Sequence, residues 1–440
     1  MNQTINVPQK SFSDKIHEWF PNQVKLDINS PYCKSYTFQV TEDCNLNCSY
    51  CYQINKTKKT MPFEVAKNAI DCIFDNNYKI DSYFKLDNIK GLIFDFIGGE
   101  PFLEIELIDK IMDYYVHKAY LYESDLAYKY MISMSTNGTL YNDDKVQKFI
   151  KKWRDKLSIG ISLDGCRELH DSCRLFPDGR GSYDLALDAI KQELAYSEDA
   201  STKMTFCPEN ISYIPEAIKN LVNIGFKSIY CNCVFEDVWN INDAKLFYFK
   251  LKETADYLLS LDKIPFVSIF DINCGNLISE TENSNFCGGS GLMLCVDTDG
   301  YFYPCQRFTS VSLGNKVEPY IIGNVYDGIG ITESDKNRIN CLSCITRKSQ
   351  STEECFNCPI ASGCAWCTGY NYQVFNTPNK RATFICDMHK ARVLANCYFW
   401  NKYYKNNNIN EVFKLNLDND SSLKIIDKNE LLMLRELESN

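Results

Sequence analysis

The chain has 440 residues, of which 45% are hydrophobic, and a net charge of −10. This is enough apolar material for the core of one large domain with a smaller one beside it. The negative charge argues against nucleic acid or an anionic membrane surface as the main partner.

No apolar run reaches the roughly 18 residues that a membrane span needs, and the start Met1-Asn2-Gln3-Thr4-Ile5-Asn6 has no basic region followed by an apolar stretch. The expected location is therefore cytoplasmic, where thiols stay reduced. In that setting 22 cysteines are informative, and twelve of them fall between Cys274 and Cys397. Such crowding reads as metal ligation rather than as a disulfide scaffold. The isolated Cys33, Cys72, Cys166, Cys173, Cys207, Cys231 and Cys233 read as small buried hydrophobes.

In chain order, residues 1 to 34 form a short extension with an amphipathic turn at Phe12 to Phe20, read as a packing cap. From 35 to 270 the pattern alternates. Apolar, β-rich runs occur at Tyr36–Val40, Gly91–Ile97, Tyr130–Ser135, Leu157–Leu163, Lys203–Cys207, Lys227–Asn232 and Phe266–Phe270. Segments of helical period lie between most of them, among them Phe63–Phe74, Glu104–Tyr115, Tyr183–Leu194 and Asn240–Leu261. Repeated βα units predict a parallel sheet covered by helices, and about six units predict an open barrel. Reactive groups in such folds gather at the carboxyl ends of the strands.

The motifs obey that rule. Cys44, Cys48 and Cys51 form a C-x3-C-x2-C run directly after the first strand. Three thiolates on one loop can hold three irons of a four-iron cluster and leave the fourth iron open. A zinc knuckle would need a further ligand nearby, and no His lies close in the sequence. Gly98-Gly99-Glu100-Pro101 ends the second strand; its glycines permit close backbone approach to a ligand, and Glu100 offers an acceptor for an ammonium group. Ser135-Thr136-Asn137-Gly138 and Ser162-Leu163-Asp164-Gly165 end the third and fourth strands, with short polar side chains suited to ribose hydroxyls or to turns. His170-Asp171-x-x-Arg174 follows, and an Arg there can pair with a carboxylate. Pro208-Glu209-Asn210 comes after the fifth strand.

Beyond residue 271 the character changes. Cys287-Gly288-Gly289 precedes a hairpin turn at Asp299-Gly300, which returns Cys305 toward Cys287. Cys341-x2-Cys344, Cys355-x2-Cys358-x5-Cys364-x2-Cys367 and Cys386 follow. Met388 to Tyr404 reads as an aromatic helix closing this domain, Asn406–Asn410 as a surface loop, and the charged tail holds one short helix at Asn429–Leu437. The expected domains are thus a barrel over 35–270, a cysteine-rich domain over 271–404 and a tail over 405–440.

The cysteine loop, with Tyr50 before its last Cys, resembles the signature of the radical S-adenosylmethionine (SAM) enzymes. The resemblance implies an α/β partial (β/α)6 barrel in which Cys44, Cys48 and Cys51 hold a [4Fe-4S] cluster that binds SAM and cleaves it to a 5′-deoxyadenosyl radical. It gives the SAM amino group to Gly98, Gly99, Glu100 and Pro101 and the carboxylate to Arg174. Ribose contact falls to Ser135, Asn137, Ser162 and Asp164, the adenine side to the Pro208 turn, and loop orientation to His170. The later cysteines resemble the SPASM extension, which holds two auxiliary [4Fe-4S] clusters. Cys355, Cys358, Cys364 and Cys386 would hold the outer one. Cys287, Cys305 and Cys367 would hold the inner one, with Cys344, Cys341 or Cys295 as a fourth ligand or an open iron. The family has three residues between the last two cysteines of the central run; here there are two, Ala365 and Trp366. Many peptide-modifying relatives carry a leader-binding winged-helix domain ahead of the loop, for which 34 residues are too few.

The implied function is modification of a ribosomally made, Cys-containing precursor peptide, most closely thioether formation, with a flavodoxin- or ferredoxin-type electron donor. One alternative is an anaerobic sulfatase maturase making formylglycine; those relatives carry an Asp after the hairpin cysteine, where this chain has Gln306. Another is a non-catalytic iron–sulfur subunit, and a pair of zinc ribbons is the alternative for the C-terminal cysteines.

Overall fold

A computed structural model describes residues 33–439 apart from 77, 88, 197–200, 286, 315 and 316. The expected packing cap at Phe12 to Phe20 lies outside the described residues. The first six strands are β1 (Cys33–Gln39), β2 (Gly91–Ile97), β3 (Tyr130–Thr136), β4 (Leu157–Ile161), β5 (Ser201–Phe206) and β6 (Ser228–Cys233). A two-residue β7 (Phe266–Val267) follows. Strands β1 to β4 pair in parallel and in sequence order, and so do β5 to β7. Thr202 Oγ1 donates to the carbonyls of Ile161 and Leu163 at 3.3 and 3.4 Å and links the two sets across β4 and β5. This is the expected partial barrel of six βα units.

Alternation explains which face of each strand is covered. In β1, Tyr36 and Phe38 are fully buried, with Phe38 6.1 Å from Phe94 of β2. The helix Phe63–Phe74 lays Val65, Ala66, Ala69, Ile70, Cys72 and Ile73 against this layer, a stripe of helical period. Each large apolar side chain so buried contributes roughly 1.5–3 kcal/mol. The opposite face of the same strands points into the barrel and is polar: Thr37, Asp95 and Ser133 stand side by side in register across β1, β2 and β3.

The cysteine-rich region joins this sheet. The expected hairpin is present as β8 (Met293–Val296) and β9 (Tyr301–Tyr303), with Gly300 at φ +88° in the turn, a conformation that favours glycine. Strand β8 pairs in parallel with β1, so the sheet runs on from the barrel into the hairpin. Two short strands, β10 (Gly323–Asn324) and β11 (Gly328–Ile329), complete its outer edge. The tail also differs from a loose extension. Phe413, Leu415, Leu417, Ile425, Ile426 and Leu434 are buried, and Tyr248 of the helix Ile241–Leu259 donates to Glu430 at 2.6 Å. Alternating apolar residues at 413, 415 and 417 are the cause, since leaving them exposed would forfeit their burial energy.

Candidate active site

The carboxyl ends of β1 to β4 carry the candidate site. The loop after β1 is pinned on both sides. Asn47 N donates to Leu175 O at 2.7 Å and Ser49 N to Cys173 O at 2.9 Å, which tie it to the end of the helix Arg167–Cys173. On the other side Gly99 N donates to Thr41 O at 3.3 Å and Glu100 N to Asp43 O at 2.9 Å. A Cβ at Gly99 would lie 2.2 Å from Asp43 O and 2.6 Å from Cys44 Cβ, and one at Gly98 would lie 2.7 Å from Thr41 Cγ2. These glycines therefore make room for the cysteine loop itself, a nearer partner than the ligand expected from sequence. Cys44, Cys48 and Cys51 are all half-buried. Burial pushes the Cys44 thiol up to about 11, and Glu100 and Cys48 lie close enough to add to it. Burial likewise raises Cys48, which faces Arg174, Cys51 and Asp164.

Glu100 is 1% exposed and its carboxylate is well occupied. It accepts from Thr136 Oγ1 at 2.6 Å, Asn137 N at 2.8 Å and Phe102 N at 3.1 Å, so it braces β2 against β3. Burial still holds its pKa up at about 7. Pro101 is buried and begins the short turn Pro101–Glu104. Asn137, expected at the ribose, turns to the loop: its Nδ2 donates to Asn45 Oδ1 at 2.8 Å, and its Oδ1 accepts from Thr139 N and Oγ1 at 3.0 and 2.7 Å. Ser135 is exposed toward the barrel interior and Ser162 is half-buried, its N–H bonded to Thr136 O at 2.9 Å. Asn210 is 1% exposed and caps the end of β5, with Oδ1 accepting from Cys207 N at 2.9 Å and Nδ2 donating to Thr205 O at 3.1 Å. Its amide thereby fixes the turn after β5.

Asp164, Arg174 and Tyr50 form one buried group. Asp164 Oδ2 accepts from Arg174 Nε at 2.7 Å and from the Tyr50 hydroxyl, and the Arg174 guanidinium lies 5.4 Å from the centre of the Tyr50 ring. His170 holds this corner from behind. Asp164 N donates to His170 Nδ1 at 3.3 Å, which places the ring proton on Nε2, 2.9 Å from Ser182 Oγ. Ser182 Oγ donates in turn to Arg174 O at 2.7 Å. Burial keeps His170 neutral, its pKa lowered to about 4, in keeping with an orienting role. Asp164 Oδ1 has no hydrogen-bond partner among the described residues although the side chain is fully buried. Such an acceptor suits a ligand hydroxyl. With three thiols on the facing loop, this orphaned oxygen and Arg174, the residues fit a thiolate-held cluster with a polar cofactor beside it.

The C-terminal cysteines fall into two groups. Burial raises the Cys305 thiol well above its ordinary value, and Cys367 and Cys287 stand close enough to add to the effect. Cys295 is fully buried, and burial raises its thiol well above its ordinary value, with Cys305, Asp297 and Asp95 adding to the effect. In the second group burial raises Cys364 to about 11, with Cys355, Cys358 and Cys274 nearby, and Cys386 to about 11, with Cys364 and Cys355 nearby. Arg381 Nη2 donates to Cys364 Sγ at 3.0 Å. Of the cysteines left open as a fourth inner ligand, Cys344 is exposed at the end of the helix Glu333–Ser343, Cys341 is half-buried, and Cys295 is buried with Cys305 acting on it. Among the described residues no three His, Cys, Asp or Glu side chains converge on one point as a single ion requires. A four-iron cluster takes its thiolates one per iron, spread over its corners.

Sequence reasoning missed residues that stand between the loop and the inner cysteines. Tyr52 is raised by burial, with Cys51, Arg307, Asp95 and Cys295 around it, and the Arg307 guanidinium lies 5.0 Å from its ring centre. Asp95 points into the barrel and burial raises its carboxyl to about 6. A lone acid in the apolar strand Gly91–Ile97 was the available signal. Gln39, 1% exposed at the end of β1, has no hydrogen-bond partner for either amide atom among the described residues.

Comparison with known proteins agrees with this geometry. Residues 38–221 match the radical SAM superfamily. An uncharacterised protein of Methanocaldococcus jannaschii is 32% identical over 57% of this chain and 82% of its own length. The cysteine-type anaerobic sulfatase-maturating enzyme of Clostridium novyi is 28% identical over 61% of this chain and 72% of its own. The antilisterial bacteriocin subtilosin biosynthesis protein AlbA of Bacillus subtilis is 24% identical over 63% and 56%. Among solved structures, anSMEcpe with bound AdoMet and Kp18Cys peptide shares the fold at a TM-score of 0.60 and 19% identity, covering 86% of this chain and 98% of that one. The matched span holds every strand-end motif from Cys44 to Arg174, and with a relative of which 82% is covered it carries one conclusion: the chain belongs to the radical SAM superfamily.

Proposed function

We propose that this enzyme modifies a ribosomally made, Cys-containing peptide, forming a thioether between a Cys sulfur and a carbon of a neighbouring residue. Cys44, Cys48 and Cys51 would hold the cluster that binds SAM, and bound there it would supply the electron that cleaves SAM to a carbon-centred radical. Asp164 Oδ1 would accept a ribose hydroxyl, Arg174 would pair with the SAM carboxylate, and Glu100, already braced by three donors, would take the ammonium group. Cys287, Cys305 and Cys367 with Cys295 would hold an inner auxiliary cluster, and Cys355, Cys358, Cys364 and Cys386 an outer one. A flavodoxin- or ferredoxin-type protein would bring the electrons.

One observation carries this reading. Tyr52, next to Cys51, reaches Arg307, two residues after Cys305, and Cys51 and Cys295 both act on it, so the cysteine loop and the inner cysteine group adjoin one another. A peptide bound beside them would have its reacting carbon near the one and its sulfur near the other. Similarity to sulfatase-maturating enzymes supports formylglycine formation as a second reading, and Gln306 at the position after Cys305 disfavours it.

The test is to incubate reduced, reconstituted enzyme with SAM and the short Cys-containing peptide encoded nearest its gene. A thioether product has lost two hydrogens and kept its sulfur, while formylglycine has lost the sulfur. Deoxyadenosine without any peptide product would reject the peptide class.

A further inference from the structure

The Cys341-x2-Cys344 pair belongs to neither cysteine group. The cysteines that act on Cys305 are Cys367 and Cys287, those that act on Cys364 are Cys355, Cys358 and Cys274, and those that act on Cys386 are Cys364 and Cys355; Cys341 and Cys344 are not among them. They lie at the end of the helix Glu333–Ser343, with Cys344 as its αR cap, bonded from N to Asn340 O at 3.1 Å. Residues three apart in this conformation share a face, with Cβ atoms about 5–6 Å apart. A disulfide needs Cβ atoms about 4 Å apart, so closing the bond draws in the last turn, which lies at the free end of the helix where Ile345 N donates to Leu342 O at 3.2 Å.

Exposure divides the labour between them. Cys344 is exposed and Cys341 half-buried, with Leu342 buried between them as the anchor of the turn. Cys341 is next to Tyr320, whose hydroxyl donates to Arg338 O at 2.9 Å one helical turn earlier. Tyr320 packs on Phe308 and Tyr372 with ring centres 5.1 and 4.8 Å away. Those rings follow Cys305 and Cys367 closely in sequence, so the pair stands on a rigid aromatic wedge behind the inner group without joining it.

We propose that Cys341 and Cys344 are a cluster-free surface dithiol that closes reversibly to a disulfide by exchange with a low-molecular-weight disulfide. The exposed Cys344 thiolate attacks one sulfur of the small disulfide, which forms a mixed disulfide and releases one small thiol. The Cys341 thiolate then attacks Cys344 Sγ, closes the intramolecular bond and expels the second small thiol. Two protein thiols are oxidised by two electrons, and the small disulfide takes up those electrons and the two thiol protons to become two thiols. The reducing thiol pool of a cell runs the exchange backward, so the site reports the surrounding thiol–disulfide ratio.

The experiment uses the full, anaerobically reconstituted protein with glutathione disulfide as the probe, followed by N-ethylmaleimide trapping and tryptic digestion. Both cysteines fall in one fragment, Ile339 to Arg347. The expected result is that this fragment loses both maleimide labels together and is lighter by two hydrogens, that dithiothreitol restores the labels, and that iron content is unchanged. Cys341→Ser should trap Cys344 as a stable glutathione adduct. Doubly labelled fragment at every glutathione ratio overturns the proposal, as does an adduct on Cys344 that never closes in the unsubstituted protein. Loss of iron from the Cys341→Ser/Cys344→Ser variant also overturns it, because the pair would then be cluster ligands.

Discussion

Gly99→Ala probes how the fold carries the cysteine loop. The added Cβ would meet Asp43 O at 2.2 Å, Asp43 C at 2.5 Å and Cys44 Cβ at 2.6 Å, where ordinary contact begins at 3.4 Å. The obstacles on the Asp43 side are backbone atoms, so the start of the loop must retreat by roughly 1 Å to reach contact distance. That retreat stretches Gly99 N to Thr41 O and Glu100 N to Asp43 O, now 3.3 and 2.9 Å. Overpacking costs about 1–3 kcal/mol and each of the two strained hydrogen bonds about 1 kcal/mol, so the substitution costs the loop about 3–5 kcal/mol. The strain falls on the segment that positions Cys44. The assay is iron and sulfide content after reconstitution, with SAM binding by calorimetry. The variant should lose roughly the four irons of one cluster and its SAM affinity, while the C-terminal irons remain and report that the chain is folded. Gly160→Ala is the control, since its Cβ would meet nothing nearer than Met134 O at 3.8 Å. Full iron content and unchanged SAM binding in Gly99→Ala would refute the reasoning.

Three further outcomes follow from buried groups. Asp164→Ala leaves Arg174 without its carboxylate partner in a buried site; we expect a loss of about 3–5 kcal/mol in unfolding free energy and weaker SAM binding, measured by denaturant titration and calorimetry. Arg347, 2% exposed, donates to the carbonyls of Phe356, Glu282 and Ser279 at 2.7, 3.0 and 3.0 Å. Arg347→Met should strand those acceptors and lower stability by roughly 3 kcal/mol or more, visible as a lower Tm. His389 bonds through Nε2 to Ile360 O at 2.7 Å, and burial lowers its pKa to about 4. The unfolded chain binds this proton near pH 6.5 and the folded chain only near pH 4, so the stability this neutral His supports is complete above pH 6.5 and is lost as pH falls toward 4, by up to about 3 kcal/mol. His389→Leu should flatten that part of the stability–pH curve; an unchanged slope would contradict the assignment.

Much of this was legible in the sequence because strand and helix periods are local signals. The helix Phe63–Phe74 and the strand Gly91–Ile97 stand where the pattern put them, and Cys44, Glu100 and Asp164 lie just beyond the ends of β1, β2 and β4, with Arg174 bonded to Asp164. What was not legible depends on tertiary contact. Periodicity gives no hint that β8 joins β1 or that the tail's Phe413 and Leu415 reach the core. Spacing gives no hint that Cys295 is buried with Cys305 acting on it while Cys344 is exposed, because burial depends on the whole fold. Asn137 and Asn210 illustrate a further limit: nothing in the sequence shows that these short amides also bond to the cysteine loop and to the backbone.

The most direct test of the central claim is to compare SAM cleavage and iron content in the unsubstituted protein and in Cys44→Ala/Cys48→Ala/Cys51→Ala. With three clusters the unsubstituted protein should hold roughly twelve irons and release 5′-deoxyadenosine on reduction, and the triple variant should hold roughly eight and release none. Deoxyadenosine from the triple variant would contradict the account, and so would an unsubstituted protein that holds only about four irons.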